Sequence, residues 1–489
     1  MPVLARHFIY NLLGVGLPLL LAVVAMPLLA ALVGLARLGF LTIAWALIGY
    51  LGFLDLGLSR VTARRVAAAS TAEALAQEVR LMQRLVRVLA AGGIVVGAVL
   101  ATLTPDRWLA AEHLPAELGA EVRLSWLLLV ATLPLLLISN IWRGAMEGRQ
   151  AFATVNLYRL LFGVWMFGAP VVVAVVSPAL PALIGVIVAG RVVLTWLHWR
   201  WCRRHLPRPV APAPGGAAPS LGEALREGGW ITLSNAVGPL MVVADRFILG
   251  ALMPLAAVAA YAVPQEVALR LLIVPAALAI TIFPAVAALG QGRAHGGDLV
   301  RRAMRASTAI TLPFAFTLAL FATPLLTLWM GADFAADSAL VLKILMVGIA
   351  LNAPAQIVFS ALQARARART TALLHVVELL PYALLLWLAV SRLGIAGAAL
   401  AWSLRVIADA VILMAIARAG DATAVDLRFG LAALATLVSV ALAGVADAAA
   451  GALPWAMAAV TTALLAWAAL LDRRDVDALR SMLQRTSRR

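Results

Sequence analysis

The chain has 489 residues, of which 64% are hydrophobic and 13% charged, with a formal net charge of +16 and a mean hydropathy of +0.98. Soluble domains carry roughly 25% charged residues, so this composition excludes one and predicts an all-α, polytopic membrane protein. A span needs about 20 apolar residues, which leaves room for on the order of twelve to fourteen helices joined by short connections. The long apolar runs lack the two-residue alternation of lipid-facing strands, which excludes a bacterial-type β-barrel.

The run from about 9 to 33 is too long for the apolar core of a signal peptide and is read as the first span. A short turn, LARLG, leads to the second, about 38 to 58, which Asp55 closes. Arg60, Arg64 and Arg65 then cluster where the inner leaflet should lie, followed by TAEALAQEVRLMQRLVRVL. Ser70 and Glu73 have capping-box spacing there, with an apolar stripe of Leu75, Val79, Met82 and Val86 beside a basic stripe of Arg80, Arg84 and Arg87. That pattern predicts an interfacial helix on anionic lipid. The third span runs to about Thr104 and contains Gly93 and Gly97, a spacing that favours close helix packing. A polar loop with Pro105, Asp106 and Pro115 precedes the fourth span, about 122 to 141, and the fifth and sixth carry Arg159 and Arg191.

After Trp201 comes CRRHLPRPVAPAPGGAAPS, a Pro- and Gly-rich stretch that reads as a flexible cytoplasmic linker. The next span, GGWITLSNAVGPLMVVADRFILG, carries Asp245 and Arg246 in its apolar body. A charge at that depth costs roughly 2.5 to 3.5 kcal/mol on insertion scales, so such residues face a bundle interior or a wet path. Adjacent helical positions diverge by about 100°, so the two do not simply neutralise each other locally. Further spans are placed at about 255 to 290, 306 to 330, 338 to 362, 370 to 391 and 394 to 417. Two more, about 429 to 447 and 453 to 471, precede the basic tail DRRDVDALRSMLQRTSRR.

With the N-terminus inside, most Lys and Arg fall in inside segments, whereas outside segments carry slightly more acid than base. The positive charge is therefore an orientation signal with both termini cytoplasmic, and no nucleic-acid partner is expected. Cys202, the one cysteine, cannot form an intramolecular disulfide, and the six histidines show no zinc spacing, so no metal is expected. An internal repeat divides the chain. A shift of about 220 residues lays Pro134 on Pro354 and ISNIWRGAMEGRQAF on VFSALQARARARTTA. A shift of about 214 lays PALIGVIVAGR on IAGAALAWSLR, so that Arg191 falls on Arg405. Both shifts preserve the inside-outside sense, which predicts parallel repeats of six spans related by an axis along the membrane normal.

The resulting expectation is a six-helix lobe over 1–202, a linker over 203–228, a second six-helix lobe over 229–418, two extra helices over 429–471 and a cytoplasmic tail over 472–489. Glu266 and Arg270, and likewise Arg405 and Asp409, stand four residues apart, which predicts structural ion pairs. Pro264, Pro275 and Pro284 interrupt the eighth span and predict a bend or simple kinks.

LARLGFLTIAWALIGYLGFLDLGLSRVTARRVA, GGWITLSNAVGPLMVVADRFILG and AYAVPQEVALRLLIVPAALAITIFPAVAAL together resemble the polysaccharide biosynthesis transporters. These are oligosaccharide-lipid flippases of the multidrug/oligosaccharidyl-lipid/polysaccharide exporter superfamily. The resemblance implies a V-shaped pair of pseudo-symmetric six-helix lobes around a central cavity, with two extra C-terminal helices where there are about 14 spans. It implies movement of an undecaprenyl-diphosphate-linked glycan from the cytoplasmic to the outer leaflet of the bacterial inner membrane for O-antigen, capsule or exopolysaccharide assembly. Polysaccharide polymerase machinery becomes a candidate partner alongside membrane lipids. An anionic headgroup needs a wet path with guanidinium partners, whose planar fork binds two phosphate oxygens. Arg246 is the first candidate, then Arg159 and Arg191, with Arg60, Arg64 and Arg65 at the inner mouth. No cofactor is expected; proton or sodium coupling would use Asp55, Asp245 or Glu378. Related alternatives are a lipid II flippase and a cation-coupled multidrug exporter. A glycosyltransferase is excluded by outside loops no longer than about 20 residues, too short to carry its chemistry.

Overall fold

The computed structural model describes residues 2–51, 58–102, 116–210, 221–223, 240–241, 243–288, 293–364, 368–420 and 460. Asp55, the Pro105 to Pro115 loop, most of the linker, the two extra helices apart from Val460, and the basic tail lie outside the described residues. Among the described residues every regular element is a helix, and nine helices are long and apolar enough to cross a membrane. The chain is a multi-pass membrane protein. It folds as two compact units, Met1–Ala259 and Ala260–Arg489.

In the first unit, α1 (Pro2–Leu51) has two legs joined at Gly34, whose φ of 80° is a conformation that side chains with a Cβ rarely adopt. Next come α2 (Leu58–Ala68), α3 (Ala72–Thr102), α4 (Ala116–Ala131), α5 (Leu133–Gly148), α6 (Phe152–Val176) and α7 (Leu180–His205). The expected interfacial helix is instead the beginning of a span. Residues 72–102 form one continuous helix of 31 residues, about 47 Å at 1.5 Å per residue, longer than the roughly 30 Å hydrocarbon core. Its first turns extend the third span, and Leu75, Val79 and Met82 are buried in a protein core shared with α2 and α5. The cap is Thr71, whose hydroxyl accepts from the Ala74 amide at 3.1 Å, rather than Ser70.

Helices in lipid associate through small residues and interhelical hydrogen bonds, because lipid tails are as apolar as leucine. Gly93 gives this physical form: a Cβ there would lie 2.8 Å from the Cα of Pro134. Likewise Gly39 in the second leg of α1 abuts the Leu255 carbonyl, leaving no room for a side chain. Elsewhere in the unit Glu121 fastens three elements. It accepts from Arg37 at 3.0 and 2.8 Å and from the Leu180 amide, at the start of α7, at 2.9 Å. The carboxylate also opposes the positive end of that helix. Glu121→Gln is expected to lower stability by about 1–2 kcal/mol, discounted because the ion pair is partly exposed. A thermal melt in detergent checks this as a lower unfolding temperature.

The second unit contains most of α8 (Leu255–Arg270), then α9 (Ile273–Ala288), α10 (Arg293–Leu320), α11 (Ala322–Met330), α12 (Ala332–Ala364) and α13 (Ala368–Gly420). The eighth span breaks between α8 and α9 at Leu271 and Leu272. Pro275 explains the position, since its ring excludes the carbonyl of the residue four before it, Leu271. Central to the unit is α12, the most buried of its spans. Its carbonyls accept hydroxyls from neighbouring helices: Ser403 donates to Ile344 at 3.0 Å and Ser307 to Ala353 at 3.2 Å. Gly394, with φ of 58°, divides α13 into two legs, close to the loop expected between the spans at 370 to 391 and 394 to 417.

Candidate functional site

In the first unit, helical spacing brings polar faces of α5, α6 and α7 together. Ser139 and Arg143 share a face of α5 four residues apart, as do Tyr158 and Phe162 on α6, and Arg191 and His198 lie two turns apart on α7. The Ser139 hydroxyl meets His198 Nδ1 at 2.8 Å, and the Tyr158 ring lies 5.6 Å from the imidazole. The Arg191 guanidinium stacks over Phe162 at 4.0 Å, a contact that orients an arginine without neutralising it. Arg143 lies within electrostatic reach of Arg159, Arg191 and His198. Among the described residues its ion-pair partner is Glu147, at 3.7 Å. Nε of both Arg143 and Arg191 is buried without a hydrogen bond, although Arg159 is exposed. Three guanidinium groups and one carboxylate thus gather within membrane-spanning helices. A buried donor without a hydrogen bond, as at Arg191 Nε, is costly, and an anion would relieve it.

In the second unit, both legs of α13 supply a cluster of opposite character. His375 and Glu378 come from the first leg, Arg405 and Asp409 from the second. One ligand-type atom each of His375, Glu378 and Asp409 lies within 4.8 Å of the others, and His375 Nε2 stands 3.7 Å from Asp409 Oδ1. Both oxygens of Glu378 and Oδ1 of Asp409 are buried without a well-formed hydrogen bond. Arg405 lies near the acids with its guanidinium 5.3 Å from the Tyr382 ring, and Phe359 stacks on His375 at 5.3 Å. With both carboxylates ionised, two against one guanidinium leave a single negative charge, which one proton or one monovalent cation would balance. The arginine makes a divalent ion a poor fit.

The two clusters occupy repeat-related places. The 220-residue shift carries Phe162 onto Tyr382 and the 214-residue shift carries Arg191 onto Arg405. Each unit forms the corresponding arginine-aromatic contact. One repeat has surrounded that contact with bases, the other with acids.

The remaining candidates are placed differently. Arg246 is 3% exposed and donates to the Thr42 carbonyl of α1 at 3.2 Å, while its amide donates to Asp245, itself fully buried. Arg246, the expected leading phosphate contact, thus turns its side chain into the protein in this structure and fastens its helix to α1. Arg246→Ala is expected to cost about 1.5–3 kcal/mol, the range for a buried hydrogen bond from a charged group, read as a lower melting temperature in detergent. Arg60 and Arg64 are exposed on α2, whereas Arg65 is held bidentate by Glu78 at 2.9 and 3.1 Å. Glu266 and Arg270 meet at 2.8 Å. Asp409 lies against His375 and Glu378 as well as near Arg405, so it belongs to a four-residue cluster rather than an isolated pair.

Arg143, His198 and His375 are not singled out by the sequence. His375 stands three residues before Glu378, on one helical face, and that spacing is the available signal. For Arg143 there is less: it lies at the end of a span, where basic residues are routine.

The family model for polysaccharide biosynthesis proteins matches residues 28–339. A Shigella flexneri protein described as a candidate O-antigen transporter is 30% identical over 83% of this chain and 96% of its own length. Among solved structures, the lipid II flippase MurJ in an inward closed conformation aligns with a TM-score of 0.70 at 12% identity, covering 99% of this chain and 100% of that one. An inward-facing multidrug resistance transporter of the multidrug/oligosaccharidyl-lipid/polysaccharide superfamily aligns at 0.65 and 13% identity, covering 83% and 97%. The chain belongs to the polysaccharide biosynthesis protein family and has the fold of the transporters of the multidrug/oligosaccharidyl-lipid/polysaccharide superfamily.

Proposed function

We propose that the protein flips a diphosphate-linked oligosaccharide lipid, of the undecaprenyl type, from the cytoplasmic to the outer leaflet of a bacterial inner membrane for surface polysaccharide assembly. The observation that carries this reading is the convergence of Arg143, Arg159 and Arg191 on three membrane-spanning helices with one nearby carboxylate. Its excess of positive charge complements a diphosphate diester, and guanidinium forks suit phosphate oxygens. The relation to a candidate O-antigen transporter supports the same substrate class. In this reading Arg159, the exposed member, meets the headgroup first. Arg143 and Arg191 hold it, and the exposed Arg60 and Arg64 gather substrate at the cytoplasmic mouth. Alternating access then passes the headgroup across while the polyprenyl chain stays in lipid.

Coupling is assigned to the acidic cluster in the second unit. Outward movement of an anion along an inside-negative potential already gains about 2.3 kcal/mol per charge per 100 mV. Exchange of a proton or sodium ion at Glu378 and Asp409 would add to that gain and reset the empty carrier. Deleting the gene tests the substrate class directly. The reading expects viable cells that lack a surface glycan and accumulate its lipid-linked precursor inside. Lethality with arrested cell-wall synthesis would instead assign the protein to lipid II.

A further inference from the structure

A second basic site lies away from the Arg143 cluster, where α3, α5 and the last turn of α7 meet. It is a cavity of about 600 Å³, bounded by the chain from Leu206 to Pro209 as it leaves α7. One wall is apolar and comes from Val79, Met82 and Val86 of α3, of which Val79 and Met82 also belong to the protein core shared with α2 and α5 and Val86 packs against it. The opposite side carries Arg203 and Arg208, and Arg87 projects from α3 into the same space. Among the described residues no acid lines it. Arg203 is steadied over the Trp199 ring at 5.2 Å, and Arg87 makes only a long 3.4 Å contact to the Gln83 carbonyl on its own helix. The volume falls in the range of about 300–1,000 Å³ typical of sites for small ligands.

Position decides what chemistry fits. α3 and α7 are membrane-spanning, and the last turns of α7 alternate Trp196, Trp199 and Trp201 with Arg200, Arg203 and Arg204, the signature of a membrane-water boundary. A cavity there with one oily wall and three guanidinium groups matches an amphiphile with a phosphate head. We propose that this cavity holds one anionic phospholipid of the surrounding leaflet. Its phosphate lies between Arg203, Arg208 and Arg87, and the start of an acyl chain runs along Val79, Met82 and Val86. The stretch Pro207 to Pro209 closes the headgroup end with two residues whose φ is fixed, so ordering that wall costs little entropy. The bound lipid would join α7 to α3 at the point where the chain leaves the first bundle. Such a lipid site is independent of the transported substrate.

The test uses the full-length protein in neutral detergent, with lipid retention read by native mass spectrometry. Phosphatidylglycerol, phosphatidylcholine and inorganic phosphate are offered in separate arms. The expected result is one phosphatidylglycerol per chain, retained at least about tenfold better than phosphatidylcholine, with inorganic phosphate failing to displace it, because head and chain are both recognised. The triple variant R87Q/R203Q/R208Q should lose that preference, whereas R200Q, at a neighbouring arginine outside the cavity, should keep it. Met82→Trp, which fills the apolar wall and leaves every charge, should also lose it. Equal retention of the two lipids by the unaltered protein would overturn the proposal. So would retention that survives the triple variant, or displacement by inorganic phosphate alone.

Discussion

Replacing Arg159 and Arg191 together by alanine is expected to reduce export at least about a hundredfold while leaving the protein inserted. Each guanidinium in a charge-assisted contact with phosphate contributes about 1.5–3 kcal/mol, which is roughly ten- to a hundredfold apiece. The two sit on different helices, α6 and α7, so the double variant removes two sides of the proposed anion site. Among the described residues neither makes an ion pair at hydrogen-bonding distance, so little native cohesion is lost with them. Arg191 gives up its contact with Phe162 at 4.0 Å, worth about 0.5–2 kcal/mol. Lysine at both positions should recover part of the activity, because charge returns without the bidentate fork. Complementation of a deletion strain, scored by surface glycan and by the amount of protein in the membrane fraction, reads the effect. Full export by the well-expressed double variant would remove these arginines from the path.

Glu378→Gln is expected to uncouple transport from an ion gradient. Glutamine keeps the shape and removes both the charge and the exchangeable proton, so the cluster loses its one unbalanced negative charge. A pH difference of one unit is worth about 1.4 kcal/mol, enough for up to a tenfold change in rate if a single proton is coupled. The unaltered protein should therefore respond to an imposed proton or sodium gradient, and the variant should run at one rate with or without it. Asp409→Asn should behave the same way, since the two carboxylates act as a unit. Persistent gradient response in both variants would place coupling elsewhere, with Asp245 and Asp55 the remaining expected candidates.

Much of the helical order is legible because spans announce themselves by length and apolarity alone. The bend at Gly34 coincides with the turn read from LARLG, the bend at Gly394 lies beside the expected loop between the last two lobe spans, and Pro275 breaks its span where its missing amide requires. The misreadings share a physical cause. The stretch from Ala72 reads as a membrane-surface helix because its apolar and basic stripes fit either a lipid face or a protein face. Only the partners on α2 and α5 decide between those. Arg246 ranks first in the sequence because it is a charge in mid-span, yet a backbone carbonyl more than 200 residues away can satisfy such a charge, and no local pattern discloses that. Arg143 escapes notice for the opposite reason, as an ordinary charge at a span end. Repeat symmetry is the one long-range signal the sequence carries. It lays Arg191 on Arg405, and the structure adds that both sit over aromatic rings at repeat-related positions.

The most direct test is to place the protein in liposomes with a fluorescent lipid-linked oligosaccharide and to follow the fraction of label reached by a membrane-impermeant quencher over time. Oriented protein should carry the labelled lipid between leaflets far faster than protein-free vesicles, and the Arg159→Ala, Arg191→Ala double variant should return the rate to that background. Labelled lipid that crosses no faster with the protein than without it, or equally fast with the double variant, would contradict a guanidinium-lined route for the headgroup.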